Sequence, residues 1–365
     1  MRIAVFTVSM NKGGTERVIS NLCNEYLVNR HEVFVVTYLE WKCEYRLDQR
    51  IRTYSLGNEQ KKNAVGKISG MYTAGRKYVN LMERIRPDVV LAFLPRPCLV
   101  ACTAGKKLGI PVIGSIRSNP ERNFPNPLYR MVVKHIFDRA AGFVFQTEAA
   151  KSFFHARLQE KSTVIMNPIS KTVVCRQYHG ERSKRIVSVG RFTEEKNYPL
   201  LIRSFARLDK AFEKYTLWIY GKQDDSLGIK ELAESLGVAG RVVFAGQTDN
   251  IYDAIYDASL FVLSSKSEGV PNALMEAMAM GIPVVATDCP CGGPRVLIKN
   301  RENGILVPNE DEEALVTAMN EMLADSGRAL QMGEKARDIG IRYSGQKICG
   351  EWEEYILSVV NKGEH

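Results

Sequence analysis

Short apolar runs alternate with longer amphipathic stretches along the whole chain. The first six runs are Ile3–Thr7, Val33–Tyr38, Val89–Phe93, Val112–Ser115, Gly142–Gln146 and Val164–Met166. After a polar stretch, six more follow at Ile186–Val189, Leu217–Tyr220, Val242–Phe244, Leu260–Leu263, Val284–Ala286 and Ile305–Val307. Apolar runs separated by helical patterns are typical of parallel strands that are buried on both faces and joined by crossover helices. The pattern predicts an α/β protein with two doubly wound halves in tandem.

The boundary between the halves is predicted at Asn167-Pro168, where a proline ends an extended run and a charged, non-periodic segment follows. We therefore expect an N-terminal domain over residues 1–168 and a C-terminal domain over residues 169–345. Helical patterns at 311–323 and 329–343 complete the second domain. A last helix is predicted over about 346–361, because its apolar residues share one face. These residues are Ile348, Trp352, Ile356 and Val359.

Composition agrees with a soluble globular protein of two domains. The chain has 365 residues, of which 45% are hydrophobic and 25% charged, and chains of this length normally form more than one core. The eight cysteines occur singly or as C-x3-C and C-x-C, which favours reduced thiols in a cytosolic protein over a zinc site. The longest apolar runs fall short of the roughly 18 residues that a membrane-spanning helix needs.

Positive charge is concentrated in the N-terminal half. Residues 1–175 contain 27 Lys and Arg against 13 Asp and Glu, whereas residues 176–365 contain 23 against 28. A field of one sign attracts partners of the opposite sign over long distances. The asymmetry indicates an anionic partner for the N-terminal half, such as nucleic acid, anionic lipid or a phosphorylated substrate, although a basic surface that only confers solubility would give the same count.

A segment with two glutamates is the first candidate for chemistry. A strand ends at a small polar loop that contains Glu268, and Pro271-Asn272 then open a helix that carries Glu276 and closes at Gly281. The amides of the first helical turn favour a phosphate at the carboxyl edge of the sheet. Carboxylates there accept hydrogen bonds from sugar hydroxyls. The segment therefore predicts a sugar diphosphate as ligand, and Glu276, in an apolar surrounding, needs a partner.

Two cations follow the first strand of the second half. Arg191 comes directly after Gly190, and Lys196 lies five residues later. Both are expected at the same carboxyl edge, where they could bracket a diphosphate. Salt bridges to Glu194 or Glu195 are the alternative interpretation.

The pair Gly13-Gly14 follows the first strand and precedes a helix, so backbone there can approach a ligand closely. The chain contains neither G-x-G-x-x-G nor G-x4-G-K-[ST], which disfavours dinucleotide oxidoreduction and P-loop hydrolysis. It also has no Asp-x-Asp to hold a divalent metal on a sugar nucleotide. We therefore expect no metal and no cofactor, with the diphosphate neutralised by Arg191, Lys196 and the helix N-terminus.

Taken in order, these motifs resemble those of the retaining glycosyltransferases of family 4. Glu268 to Glu276 resembles the Glu-x7-Glu motif of that family, and Gly190-Arg191 with Lys196 is similar to its Gly-Arg…Lys motif. Gly13-Gly14 resembles its N-terminal glycine loop, and the segments 287–295 and 303–308 resemble the blocks that follow. The similarity covers nearly the whole chain.

The resemblance implies a GT-B architecture, in which two Rossmann-like domains face each other across a cleft and the last helix packs back on the first domain. It implies that the N-terminal domain binds the acceptor and the C-terminal domain the nucleotide sugar. Arg191, Lys196 and Glu268 would be catalytic, and Glu276 would bind the ribose. The remaining donor-binding residues implied are Gly13, Gly14, Gly190, Gly269, Val270, Pro271, Asn272, Ala273 and Leu274.

The chain departs from the family at one position. Many members have a histidine after the strand at 112–115, whereas this chain has Arg117, followed by Asn119. Both are expected on the acceptor side, with an ion pair between Arg117 and Glu121 as the alternative.

A basic amphipathic stretch is also predicted in the first half, at 61–86. It contains Lys61, Lys62, Lys67, Arg76, Lys77, Arg84 and Arg86, with Ile68, Met71, Tyr72, Val79, Met82 and Ile85 at helical spacing. Such a helix could lie on an anionic membrane or pack its apolar face on its own sheet.

These expectations define a metal-independent retaining transferase. It would move a hexose or N-acetylhexosamine from a nucleoside-diphosphate sugar, UDP being the commonest in the family, to a glycan or polyprenyl-diphosphate-linked acceptor in surface polysaccharide synthesis. We expect it in the cytoplasm or peripherally at the inner face of the membrane. A sugar-nucleotide epimerase of the same fold is the alternative. A non-catalytic nucleic-acid-binding protein is more remote, because interleaved aromatics and finger spacings are missing.

Overall fold

The computed structural model describes residues 1–11, 13–41, 43–45, 47–58, 64–176, 178–224 and 227–362. The chain forms two compact units. Unit 1 comprises Met1–Pro168 together with Gly345–His365, and unit 2 comprises Ile169–Ser344. Within the described residues, no helix combines the length and the hydropathy needed to cross a bilayer.

Unit 1 is built on a parallel sheet with strand order β3-β2-β1-β4-β5-β6-β7. Its described strands are β1 (Arg2–Thr7), β2 (Glu32–Leu39), β3 (Arg52–Asn58), β4 (Val89–Phe93), β5 (Val112–Ser115), β6 (Gly142–Phe145) and β7 (Ser162–Val164). Its described helices are α1 (Gly14–Val28), α2 (Ala64–Ile85), α3 (Pro95–Leu108), α4 (Pro120–Asn123), α5 (Pro127–Phe137), α6 (Glu148–Ser152), α7 (Ala156–Gln159) and α17 (Gly345–Lys362).

Unit 2 has a second parallel sheet, with strand order β10-β9-β8-β11-β12-β13. Its described strands are β8 (Ser183–Val189), β9 (Thr216–Tyr220), β10 (Val242–Gly246), β11 (Ala258–Leu263), β12 (Val284–Asp288) and β13 (Ile305–Pro308). The helices are α8 (Lys171–Val174), α9 (Tyr198–Ala206), α10 (Ile229–Ser235), α11 (Ile251–Ile255), α12 (Asn272–Ala279), α13 (Gly293–Leu297), α14 (Glu312–Ala324), α15 (Ser326–Ala336) and α16 (Asp338–Arg342). Short 3-10 turns lie at Glu194–Lys196, Lys210–Phe212 and Ala239–Arg241.

The predicted fold class, α/β with two doubly wound Rossmann-like halves, is confirmed. The central strands are apolar on both faces because helices cover both sides of each sheet; every residue of β4, for example, is buried. In unit 1, Trp352 of α17 is fully buried, with its ring centroid 5.6 Å from that of Phe93. The apolar face predicted for the last helix is therefore a packing face within this unit.

Strand order fixes where a ligand can bind in each unit. In unit 2 the chain winds outward from β8 in one direction and then restarts at β11, which lies on the other side of β8. The connections after two neighbouring strands then leave in opposite directions and open a crevice at their carboxyl ends. The loops that follow β8 and β11 carry Arg191, Lys196 and Glu268, so the topology brings the predicted catalytic residues to one crevice.

The structure differs from the sequence predictions at two places. Strand β3 was not predicted, because its residues are mostly exposed and only Leu56 is buried; it is an edge strand that pairs with β2 alone. The helix expected over 329–343 is two helices, α15 and α16.

Helix α2 corresponds to the predicted basic amphipathic stretch. Its apolar residues Tyr78, Met82 and Ile85 are buried, and Tyr78 stacks on Phe6 of β1 with ring centroids 4.9 Å apart. The buried part of the apolar face thus packs on its own sheet. Lys61 and Lys62 lie outside the described residues.

Candidate functional site

The turn after β8 places Arg191 and Lys196 at the crevice of unit 2. Phe192 points into the core, whereas Arg191 is exposed. The chain then makes the 3-10 turn and passes through Asn197, whose φ of 50° lies in the left-handed region. A Cβ at Gly190 would lie 2.8 Å from Cε of Lys196, so a larger residue here would force the lysine side chain to shift. The side chain of Lys196 therefore runs directly over Gly190.

Lys196 and Glu268 form an ion pair. The Nζ atom of Lys196 lies 2.6 Å from Oε1 of Glu268, and the Ser265 hydroxyl donates to the same oxygen at 2.7 Å. The exposed fractions of the two charged side chains are only 19% and 14%. Two residues predicted to be catalytic, from separate elements, are thus in direct contact, and Lys196 pairs with Glu268, whereas the alternative interpretation gave it a salt bridge to Glu194 or Glu195.

Backbone contacts hold the two loops together. The Ser264 hydroxyl donates to the carbonyl oxygen of Lys196 at 2.9 Å, and the amide of Lys266 donates to the carbonyl oxygen of Glu195 at 2.7 Å. The positions of the cation and the carboxylate are consequently set by the backbone rather than by the ion pair alone.

Arg191 differs from Lys196 in its surroundings. Its guanidinium makes no ion pair with any residue in the described part of the chain, so it can meet an anionic ligand without breaking a contact. A planar guanidinium binds phosphate through two parallel hydrogen bonds. Arg191 and the Lys196–Glu268 pair therefore give this crevice one available cation and one that is already partly neutralised.

Helix α12 begins at Asn272, directly after the buried residues Gly269, Val270 and Pro271. The amides of Leu274 and Met275 donate to the carbonyl oxygen of Pro271, each at 3.1 Å, and the positive end of the helix dipole favours an anion at this N-terminus. Glu276 lies one turn into the helix, and its Oε1 accepts a hydrogen bond from the Tyr252 hydroxyl at 3.2 Å. The partner that the sequence required for Glu276 is therefore Tyr252 of α11. Ala273 is half-buried and Leu274 is fully buried in this helix.

A second glycine supports the loop before α12. A Cβ at Gly293 would lie 1.7 Å from the carbonyl oxygen of Gly269, so the start of α13 presses against the loop that follows Glu268. Sequence reasoning missed Gly293, Tyr252 and Ser265 as residues that position this site. The adjacent glycines Gly292 and Gly293 were the signal that could have identified the first of them.

Cys289 lies near the same carboxylate. Burial, followed by the charge of Glu268, raises the pKa of the Cys289 thiol to about 12. The thiol is therefore neutral at physiological pH and unsuited to act as a nucleophile. All eight cysteines are free thiols.

In unit 1, Gly13 and Gly14 lie where the sequence predicts, between β1 and α1. The Tyr45 hydroxyl accepts a hydrogen bond from the amide of Gly13 at 2.9 Å and donates one to its carbonyl oxygen at 2.7 Å. Gly13 has extended backbone and precedes the first residue of α1. Its backbone is thus anchored at the N-terminus of a helix.

Arg117 is buried at the carboxyl edge of the same sheet, after β5. Its Nη2 donates to Oδ1 of Asn167, which also accepts from Nε2 of Gln146 at 2.7 Å. Glu121, the partner in the alternative interpretation, is exposed, whereas the Arg117 guanidinium is buried and directed to Asn167. The Nη1 atom of Arg117 is buried without a hydrogen-bond partner among the described residues. Burial lowers the pKa of Arg117, as expected for a cation removed from water.

Asn119, two residues on, caps α4. Its side chain accepts a hydrogen bond from the amide of Glu121 at 3.0 Å, and Asn119 is itself buried. Asn119 thereby fixes the course of the chain just after Arg117.

Two protein-family models match consecutive parts of the chain. Residues 12–173 match the model described as Glycosyltransferase Family 4, and residues 176–339 match the model described as Glycosyl transferases group 1. An uncharacterized glycosyltransferase of Haemophilus influenzae is 26% identical over 357 residues, which cover 96% of this chain and 99% of the relative.

A second relative comes from Campylobacter jejuni. It is GalNAc-alpha-(1->4)-GalNAc-alpha-(1->3)-diNAcBac-PP-undecaprenol alpha-1,4-N-acetyl-D-galactosaminyltransferase, 24% identical over 366 residues that cover 99% of each chain. Among solved structures, Anabaena HepE in complex with UDP has a TM-score of 0.83 at 18% identity, covering 98% of this chain and 100% of HepE. The match to both family models, over nearly the whole length of the chain, shows that the chain belongs to the family 4 glycosyltransferases.

Proposed function

We propose that the protein is a retaining glycosyltransferase that moves a hexose or N-acetylhexosamine from a nucleoside-diphosphate sugar, most simply a UDP-sugar, to a glycan or lipid-linked oligosaccharide. The observation that carries this proposal is the contact between Lys196 and Glu268 beside Arg191 and the N-terminus of α12. Cations next to a carboxylate suit a ligand that has both a diphosphate and sugar hydroxyls.

Each group in the crevice has a role in this proposal. The bond between the anomeric carbon and the phosphate oxygen breaks, and a bond from the acceptor hydroxyl oxygen to the same carbon forms. The hydroxyl proton passes to a diphosphate oxygen on the same face, so the configuration is retained without a protein nucleophile. Arg191 and Lys196 stabilise the charge that develops on the diphosphate, and Glu268 accepts hydrogen bonds from the sugar.

The donor side is completed by the loop and helix that follow Glu268. Glu276, oriented by Tyr252, would accept hydrogen bonds from the ribose hydroxyls. The backbone of residues 269–274 would contact the sugar and the phosphates. Gly190, Gly13 and Gly14 would give backbone access to the donor. The UDP named in the HepE complex supports uridine as the nucleoside.

The acceptor side of the proposal rests on unit 1. Arg117 has an unused donor at a buried position, and Asn119 holds the chain beside it. A buried cation whose hydrogen-bond acceptor is a neutral amide would be stabilised further by an anionic group. A diphosphate-linked acceptor provides one, and the undecaprenol-diphosphate substrate named for the Campylobacter relative supports this class. Such an acceptor implies action at the cytoplasmic face of a membrane.

The proposal is tested with a panel of nucleotide sugars, with and without a polyprenyl-diphosphate-linked acceptor. We expect release of free nucleoside diphosphate that requires acceptor, and a product whose anomeric configuration by NMR equals that of the donor. An inverted product would contradict the retaining mechanism. Conversion of the nucleotide sugar into its epimer without acceptor would instead establish the alternative reaction.

Metal dependence is a separate prediction. We expect the transfer rate to be unchanged by EDTA, because Arg191 and Lys196 would neutralise the diphosphate in place of a divalent metal. The measurement compares initial rates in EDTA and in Mn²⁺. A rate abolished by EDTA and restored by Mn²⁺ would show that Arg191 and Lys196 do not suffice.

A further inference from the structure

Helix α5 of unit 1 exposes an apolar face. Leu128, Met131 and Val132 are 72%, 61% and 50% exposed, and their spacing, which continues to His135, places them on one side of the helix. Val133 and Phe137 on the opposite side are fully buried. The helix is therefore anchored by one apolar face and presents a second one outward.

A groove lies beside this outward face. It has a volume of about 590 Å³ and lies between α5 and α3, lined by Met131, Val132 and Ile136 on one side and Thr103 on the other. The apolar surface is thus contiguous rather than a set of isolated side chains. Contiguous exposed apolar surface on a soluble domain usually marks an interaction site.

Residues 127–137 include no acidic residue, and Arg139 lines the groove. Arg130 and Lys134 lie on the other side of α5, where their charged groups are 5.1 Å and 4.3 Å from the centroid of the Phe153 ring, so these two cations are used within unit 1. Arg139 after α5 and Lys107 of α3 are exposed. The carboxylate of Asp138, directly after α5, accepts from His155 at 3.2 Å. The face therefore combines exposed apolar side chains with positive charge.

Helix α2, the segment that the sequence suggested for membrane contact, is different. Its Lys77 donates to the carbonyl oxygen of Leu56 at 2.7 Å, and Arg84 lies 5.5 Å from the centroid of the Tyr54 ring. Of its apolar side chains beyond residue 71, Tyr72 alone is largely exposed. From Tyr72 onward, the part of α2 whose side chains the structure describes, most apolar side chains are thus used within unit 1.

We propose that the α5 face, defined as Leu128, Met131, Val132 and His135 with the cations Arg139 and Lys107, rests on an anionic lipid bilayer. Apolar side chains at an interface enter the boundary between headgroups and acyl chains, while the surrounding cations meet anionic headgroups. Exposed cations beside exposed apolar side chains suit a partner that is anionic at its surface and apolar directly beneath, which is the layering of an anionic bilayer. The inference rests on the proposed function in one respect, because a lipid-linked acceptor would be reached at such a surface.

The test is co-sedimentation of the full-length protein with vesicles of phosphatidylcholine, either alone or mixed with phosphatidylglycerol. We expect binding to the anionic vesicles only, weakened by added salt. The variant L128Q/M131Q should lower the partition coefficient about tenfold or more, because both side chains lose favourable transfer from water. The variant K107Q/R139Q should reduce the salt dependence. All four side chains are exposed, so the fold should be unaffected.

Two matched variants serve as controls. L330Q/I341Q removes two exposed apolar side chains from unit 2, and Y72Q/R76Q removes an exposed aromatic and a cation from α2. Neither should change vesicle binding. The proposal is overturned if the parent protein does not bind anionic vesicles. It is also overturned if Y72Q/R76Q loses vesicle binding while L128Q/M131Q keeps it, or if L128Q/M131Q changes the oligomeric state and leaves vesicle binding unchanged.

A second measurement separates this inference from the proposed function. L128Q/M131Q should transfer sugar to a water-soluble acceptor at the parent rate. Absence of transfer to every acceptor would contradict the proposed function, whereas vesicle binding alone decides the role of the α5 face.

Discussion

Replacing either cation of the unit 2 crevice by alanine should lower kcat by about 10²-fold or more, which is the loss typical for removal of one electrostatic donor from a charged transition state. The expected change in KM is smaller. The charge on the departing diphosphate is larger in the transition state than in the bound donor, so Arg191 and Lys196 contribute mainly to the barrier. Steady-state kinetics of R191A and K196A, with the donor concentration varied, measure both constants.

The structure distinguishes the two variants from each other. Arg191 is exposed and has no ion pair among the described residues, so R191A should leave thermal stability unchanged. K196A removes the cation that contacts Glu268 and leaves a largely buried carboxylate supported by the Ser265 hydroxyl. We therefore expect K196A, and not R191A, to lower Tm as well.

A matched control is available on the same turn. Glu194 is exposed and lies between the two cations in the chain, so E194Q should change neither kcat nor KM. An effect of R191A or K196A confined to KM would contradict a role in the transition state and would indicate uniform binding of the donor instead.

The sequence predicts most of the fold because the buried strands are continuous apolar runs. All six strands of the second sheet were predicted, since each contains a run of apolar residues; even the edge strand β10, where only Val242 is buried, begins with the run Val242–Phe244. Strand β3 was missed because polar residues and a glycine interrupt its sequence, which leaves no such run. The division of 329–343 into two helices was also missed, because one periodic pattern runs through the break.

The sequence predicts which residues of the site lie at the carboxyl ends of strands, but not the contacts between their side chains. Loops at the carboxyl ends of neighbouring strands converge in any doubly wound sheet, which is why Arg191 and Glu268 could be assigned to one crevice. The direct contact of Lys196 with Glu268 depends on the path of a long side chain over Gly190, and the contact of Tyr252 with Glu276 joins two helices that no spacing rule relates. Packing likewise decides which amphipathic helix leaves an apolar face exposed. In this structure that helix is α5, whereas the sequence suggested α2.

The close approach of Gly293 to the donor loop gives the second large prediction. A Cβ at residue 293 would overlap the carbonyl oxygen of Gly269, 1.7 Å away, and would lie 3.0 Å from Cα of Val270. Both neighbours are backbone atoms, so no rotation of a side chain relieves the overlap. G293A must therefore displace the loop between Glu268 and α12 or the start of α13.

A displacement of about 1 Å in a group that positions substrate can cost about 10²-fold in rate. We expect G293A to lose at least that much in kcat/KM for the donor, since both the carboxylate of Glu268 and the first amides of α12 depend on this loop. The measurement is kcat/KM together with Tm, with circular dichroism to show that the variant is folded.

The neighbouring glycine supplies the control. Gly292 has a φ of +79°, but a Cβ there would meet nothing within 4 Å. G292A therefore introduces the strain of a left-handed residue, about 1–2 kcal/mol, without pressing on Gly269. If the donor site depends on the contact itself, G292A lowers Tm and keeps most of its activity, whereas G293A loses activity beyond its loss of stability. Equal kcat/KM in the two folded variants would show that the loop tolerates movement and that Gly293 serves only the stability of unit 2.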